Sequence, residues 1–170
     1  MSIFYKISPY RFLINRMVKA FARKSNPCGK ILELGAGPIS YKHLFPQSKV
    51  ISTDIVWTIG IDDIADVTNL KYGSSEFDMI LCFNVLEHVY NANKAVNEMH
   101  RVLRVGGKVA LIVPFLYPIH DPPLDFYRFT EYSLRKLFSK YSEVRIEPVV
   151  VFPFWLFKRF VLFYFLVAKK

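Results

Sequence analysis

The sequence predicts an α/β protein built on a mostly parallel sheet of six to seven strands with flanking helices. Three observations carry that prediction. Short apolar, β-branched runs alternate with stretches of helical periodicity, and the connections between them are short. The run Phe77 to Phe83 (FDMILCF) is apolar in the manner of a strand at the centre of a sheet covered on both faces. A length of 170 residues then fits one domain with a real core.

Taken in order, residues 8–24 open on Ser8-Pro9, a helix-start signal, and place Phe12, Leu13, Met17, Val18 and Phe21 on one face. Arg11, Arg16, Lys19 and Arg23 fall largely elsewhere. This basic amphipathic helix, within residues 1–25, reads as a flank packed on the domain, or as a cap over a substrate or a membrane surface. After Ser25-Asn26-Pro27, Lys30 to Leu34 is a first strand, followed by a glycine-rich turn and a helix near 38–45. Lys49 to Asp54 is a second strand, Ile61 to Val67 holds a short third, and Phe77 to Phe83 is the fourth. Asn91 to Leu103 is a helix with Ala95, Val96, Met99, Val102 and Leu103 inward. Gly106-Gly107 turns the chain into a fifth strand, Lys108 to Val113, which Pro114 ends. Thr130 caps a helix over 131–140, and Glu143 to Val151 is a sixth strand. Phe160 to Ala168 reads as a seventh strand returning antiparallel beside the sixth, with a helix lying on a membrane as its rival.

Composition bounds the partners. Twenty-three basic residues against 14 acidic ones give a net charge of +9, which favours an anionic partner or surface without specifying one. Lys158-Arg159 and Pro153 interrupt the apolar stretch from Val149 to Ala168, which argues against a spanning helix. Lys6, Arg11, Arg16 and Lys19 break every early apolar run, so no signal peptide is expected. Cys28 and Cys82 read as reduced packing residues, which fits a cytoplasmic, at most membrane-peripheral, protein. The four histidines show no ligand spacing along the chain, so no metal site is expected.

The chemistry concentrates after the strands. Gly35-Ala36-Gly37 follows the first strand, and two glycines there allow a tight turn with backbone close to a ligand. Glu33 precedes the turn, where a carboxylate can accept from a cationic amino group but would repel a pyrophosphate. The third glycine of a dinucleotide fingerprint is absent, since position 40 is Ser. Asp54 closes the second strand 17 residues after Gly37, placed to hold ribose hydroxyls. Asp66 is a candidate acceptor for an adenine amine, with Val67 or Ile55 packing on the ring, and Asp62 and Asp63 compete with Asp66.

These pieces, with FDMILCFNVLEHV and HRVLRVGGKVALIVP in their order, resemble the class I S-adenosylmethionine-dependent methyltransferases, in particular the broad group with Glu-His after the fourth strand. The match covers about residues 30–115. The resemblance implies a Rossmann-like fold and a single methyltransferase domain over 1–170, with the cofactor-binding core at 28–115 and a substrate loop and C-terminal strands at 116–170. It implies that Glu33, Gly35 and Gly37 hold the methionine part of S-adenosylmethionine, with Asp54 on the ribose and Asp66-Val67 at adenine. Asn84, Leu86, Glu87 and His88 would then line the cofactor and the substrate entrance. Most members continue the turn as Gly-x-Gly-x-Gly, whereas position 39 here is Ile.

Between the fifth strand and the next helix, Pro114 to Thr130 gathers His120, Asp121, Asp125, Tyr127 and Arg128 where open α/β sheets build reaction sites. The segment resembles a PxxHDxPxDFYRFT stretch of some bacterial methyltransferases linked to surface polysaccharides. His120 is the candidate general base, with His88 its competitor, Asp121 orienting the ring and Arg128 binding an anionic substrate group. The alternative is that Asp125 and Arg128 pair to pin the loop while Tyr127 fills the core. The expected acceptor is a small molecule or saccharide, methylated on oxygen. No Asn-Pro-Pro-Tyr motif follows the fourth strand, so nucleic acid is a disfavoured substrate, and a non-catalytic or membrane-associated cofactor-binding module is the remaining alternative.

Overall fold

In the computed structural model, which describes residues 9–149 and 161–170, the strands are β1 (Gly29–Leu34), β2 (Ser48–Asp54), β3 (Asp63–Ile64), β4 (Phe77–Phe83), β5 (Leu103–Pro114), β6 (Glu143–Val149) and β7 (Phe163–Lys169). They form one sheet in the order β3-β2-β1-β4-β5-β7-β6. β1 to β5 run parallel, and β7 is antiparallel to both of its neighbours. The helices are α1 (Pro9–Ser25), α2 (Ala92–Val102) and α3 (Glu131–Leu137).

The apolar run of β4 has the expected physical cause. Side chains alternate across a strand, so Ile80 and Cys82 join one buried cluster while Met79, Leu81 and Phe83 join the other. The first cluster takes Ala95, Val96, Met99 and Val102 from α2 and Leu134 from α3. The second takes Ile14, Val18 and Ala22 from α1. Asn91 starts α2 by accepting from the Lys94 amide at 3.0 Å, and Thr130 starts α3 by accepting from the Ser133 amide at 3.2 Å.

Several expectations shift. The helix near 38–45 is one 3-10 turn, Lys42–Leu44, because the Ser40 hydroxyl and Tyr41 amide both bond to the Glu33 carboxylate and draw the segment onto the cofactor loop. The third strand shrinks to Asp63–Ile64, since the Asp62 carboxylate accepts from the Ser52 amide and hydroxyl. Gly106-Gly107 lies inside β5, which begins at Leu103, and α3 stops at Leu137. β7 does lie beside β6, but it also separates β6 from β5.

On α1 the buried positions are Ile14, Val18 and Ala22, whereas Phe12 is 70% exposed. The inward face is therefore rotated from the expected one. Cys28 is exposed, not packed, while Cys82 is buried. Ser8, Pro153, Lys158-Arg159 and the last residues of the expected sixth strand lie outside the described residues. Among the described residues, no helix is long and apolar enough to cross a membrane.

Phe77 is fully buried at the start of β4, with Tyr72 edge-on to its ring at 5.1 Å. Phe77→Ala is expected to lower stability by about 3–5 kcal/mol. The measurement is a urea denaturation midpoint displaced at unchanged slope.

Candidate cofactor and acceptor site

Parallel strands leave a crevice at their carboxyl ends, and here β1, β2 and β4 open on a cavity of about 480 Å³. Gly35 and Gly37 have φ of 65° and 54°, and a Cβ at Gly35 would lie 2.2 Å from Val85 Cγ2. The turn is therefore tight against the segment after β4, and only backbone faces the cavity at those positions. Bonds from the Ala36 amide to the Thr53 carbonyl, 2.9 Å, and from the Gly37 amide to Asp54 Oδ2, 2.9 Å, tie the turn to the end of β2.

Glu33, Gly35, Ala36, Gly37, Asp54, Ile55, Asn84, His88, His120 and Asp121 all line this cavity. Glu33 is 2% exposed, and burial raises its pKa while Ser40, Tyr41 and nearby positive charge oppose the rise. Asp54 is half-buried and also accepts from the Val56 amide at 3.3 Å. Asn84 sits at φ 54°, and its Oδ1 accepts from the Tyr10 hydroxyl at 3.3 Å, which brings α1 over the mouth. Arg11 and Val85 also line the cavity. Sequence spacing gave no signal for either, because each reaches the cavity through a tertiary approach.

Three expected residues lie elsewhere. Asp66 is exposed and caps its own turn, accepting from the Thr68 amide at 2.8 Å and hydroxyl at 2.9 Å. Val67 and Leu86 belong to the buried core. Both competing acids already have partners. Asp62 is held by Ser52, and Asp63 pairs with Lys71 at 2.6 Å and Tyr72 at 3.0 Å.

On the acceptor side the pinned-loop alternative describes the geometry. Arg128 makes a two-pronged pair with Asp125, at 2.6 and 2.7 Å, and reaches the Pro118 carbonyl at 3.1 Å. This pairing holds the Asp125 carboxyl well below the usual range. Tyr127 donates to the Tyr90 carbonyl at 2.8 Å. Asp125, not Asp121, stands against the His120 ring, with its Oδ2 3.2 Å from Nδ1 and 2.9 Å from the His120 amide. Asp121 lines the cavity at φ 49°. An open groove of about 540 Å³, walled by Phe115, Tyr117, Phe126 and Tyr127, runs along this loop.

His88 and His120, 32 residues apart, meet edge to face with ring centroids 4.7 Å apart. The pairing overturns the reading of the histidines as scattered. Each Nε2 lies 3.9 Å from Glu87 Oε1. Burial pushes the Glu87 carboxyl up to about 8 and lowers the His88 pKa.

A parallel α/β sheet with a glycine turn after its first strand, an acid closing its second and a cavity across both defines a protein of the nucleotide-cofactor class. Within that class, the chain is similar to the class I S-adenosylmethionine-dependent methyltransferases. A family model described as a methyltransferase domain matches residues 40–111. The demethylmenaquinone methyltransferase of Paenarthrobacter aurescens is 30% identical over 131 residues, which cover 70% of this chain and 51% of that protein. The chain thus spans about half the length of that curated relative, and 33% of a ubiquinone/menaquinone C-methyltransferase from Psychromonas ingrahamii. Among solved structures, the PH0226 protein of Pyrococcus horikoshii OT3 superposes with a TM-score of 0.73 at 15% identity, covering 100% of this chain and 99% of its own. A Burkholderia thailandensis 1,6-didemethyltoxoflavin-N1-methyltransferase, solved with its substrate and S-adenosylhomocysteine, gives 0.68 at 21% identity, covering 91% and 77%. These two show the shared fold.

Gly35→Ala meets both the positive φ and the Val85 side chain, whereas Gly37→Ala meets the φ alone, with Asp54 Oδ2 at 4.0 Å. Strain of about 1–3 kcal/mol is expected for each, with Gly35→Ala the more destabilised in chemical denaturation. Adding Val85→Ala is expected to recover only part of the difference.

Proposed function

We propose that this protein transfers a methyl group from S-adenosylmethionine to a small-molecule or saccharide acceptor, on oxygen. The observation that supports this reading most directly is that one cavity is walled at once by the glycine turn, Asp54 and both histidines. The residues fit that cofactor. Bare backbone at Gly35 to Gly37 admits close approach, Asp54 has lone pairs left for two ribose hydroxyls, and Glu33 and Asp121 suit a ligand carrying positive charge. Ile55 offers an apolar surface to the adenine.

When bound, S-adenosylmethionine supplies an electrophilic methyl group on its sulfonium sulfur. The chain itself has to orient the acceptor and remove its proton. His120 is the base: Asp125 beside Nδ1 holds the ring, which leaves Nε2 to take a hydroxyl proton. His88, whose Nδ1 lies 3.1 Å from the Leu124 carbonyl, is the alternative base. The aromatic groove along the loop is the acceptor's place. A second reading, methylation at carbon of a quinone-like acceptor, is favoured by the Psychromonas relative, a ubiquinone/menaquinone biosynthesis C-methyltransferase, and by those aromatic walls.

Asp54→Ala is expected to weaken S-adenosylhomocysteine binding by about 1.5–3 kcal/mol in calorimetry. His120→Ala is expected to cut turnover about 10²–10⁴-fold at unchanged cofactor affinity. Full turnover in that variant would remove His120 from the reaction. Product analysis across hydroxyl and quinol acceptors separates a new C–O bond from a new C–C bond.

The membrane-peripheral reading rests on α1, where exposed Phe12, Arg16, Lys19 and Arg23 follow one helical face. Wild type is expected to float with anionic vesicles, and the double variant Arg16→Glu/Lys19→Glu to stay in the lower fraction. Equal flotation of the two would reject that face.

A further inference from the structure

We infer that Glu87, His88 and His120 form a binding site for a divalent transition-metal ion at the acceptor end of the cavity. One donor atom from each lies within 4.8 Å of the others, and each histidine Nε2 is 3.9 Å from Glu87 Oε1. An imidazole, imidazole and carboxylate set suits first-row ions such as zinc and leaves positions open for further ligands. In a tetrahedral site with bonds of about 2.1 Å, ligand atoms sit roughly 3.4 Å apart. Each Nε2 therefore needs to approach Glu87 Oε1 by about 0.5 Å, and donors as far apart as 4.8 Å by up to about 1.4 Å.

Two independent features point to an ion. The Glu87 side chain is 0% exposed, and neither carboxylate oxygen has a hydrogen-bond partner on another residue. A buried carboxyl without a partner costs stability whether charged or neutral, and a native fold keeps such a group where something else satisfies it. The second feature is the arrangement behind the rings. His88 Nδ1 faces the Leu124 carbonyl at 3.1 Å, and His120 Nδ1 faces Asp125 Oδ2 at 3.2 Å and the Pro118 carbonyl at 3.3 Å. These acceptors place the protons on both Nδ1 atoms, which leaves each Nε2, 3.9 Å from Glu87 Oε1, with a lone pair to offer. This is the outer arrangement that metal-ligating histidines use.

The binding itself stands apart from the methyl-transfer reading, but its role rests on it. With the ion bound, Nε2 of His120 is a ligand and no longer the base. An acceptor hydroxyl that coordinates the ion gives up its proton to water more readily, leaving the alkoxide on the metal.

The test uses tag-free, chelator-treated protein titrated with zinc chloride in calorimetry, and with cobalt(II) for its visible absorption. S-adenosylhomocysteine is titrated into the same preparations. Wild type is expected to bind one zinc per chain, and Cys28→Ser to bind it equally, which removes the exposed thiol as the ligand. Glu87→Gln is expected to weaken zinc binding by more than about tenfold while still binding S-adenosylhomocysteine as wild type does. His120→Asn serves as a second ligand variant should Glu87→Gln not fold. Wild type that binds S-adenosylhomocysteine but no zinc up to millimolar concentration overturns this inference alone. Zinc binding unchanged in both ligand variants does the same. Zinc binding without S-adenosylhomocysteine binding would instead sink the cofactor reading and keep the metal site.

Discussion

The carbonyl oxygen of Glu87 accepts from two amides of the loop after β5, Phe126 at 2.9 Å and Tyr127 at 3.2 Å. Through that atom the turn after β4, which walls the cavity, is fastened to the loop that carries His120. The next links follow from it. Tyr127 leads to Arg128, Arg128 grips Asp125, and Asp125 holds both the amide and the ring of His120. The Asp125 side chain is 2% exposed while Arg128 keeps 24%, so loss of Arg128 would leave a buried carboxylate without its cation. The residues that read as substrate contacts thus act first as the frame that aims a histidine.

How much of this is legible in the sequence depends on how local the cause is. β4, α2 and the Thr130 cap are written in short-range patterns, and they fall where periodicity and capping place them. β7 is legible as an apolar strand, but its seat between β5 and β6 is not, because a uniformly apolar run carries no information about which neighbours bury it. The inward face of α1 lies a fraction of a turn from the one periodicity favours, since apolar residues of similar size, Leu13, Ile14, Met17 and Val18, are adjacent on the helix and compete for it. The region after Gly37 looks helical by composition, yet the Glu33 carboxylate eight residues before Tyr41 takes its amide and prevents the winding.

The site shows the same division. Glu33, the glycine turn and Asp54 follow strand ends at fixed spacing, and the fold leaves them together. Asp66 and Val67 stand apart from that group in the structure, Asp66 with Oδ1 in a local Asx turn and Val67 packed in the core. His88 and His120 seemed unrelated because their separation was measured along the chain. Their strands, β4 and β5, are hydrogen-bonded neighbours running the same way, so the segments leaving both carboxyl ends emerge side by side. In a parallel sheet, adjacency of strand ends is a better guide to shared chemistry than spacing in sequence.

The position of β7 has a consequence for assembly. Among the described strands, β6 pairs with β7 alone, and β7 also closes the open edge of β5. Until residues 163–169 arrive, the sheet ends in the bare backbone of β5, a long apolar edge, while β6 has no partner at all. Both are templates for pairing with another chain. Residues 163–169 thus cover two edges at once, from a seat between β5 and β6 and not at the rim of the sheet.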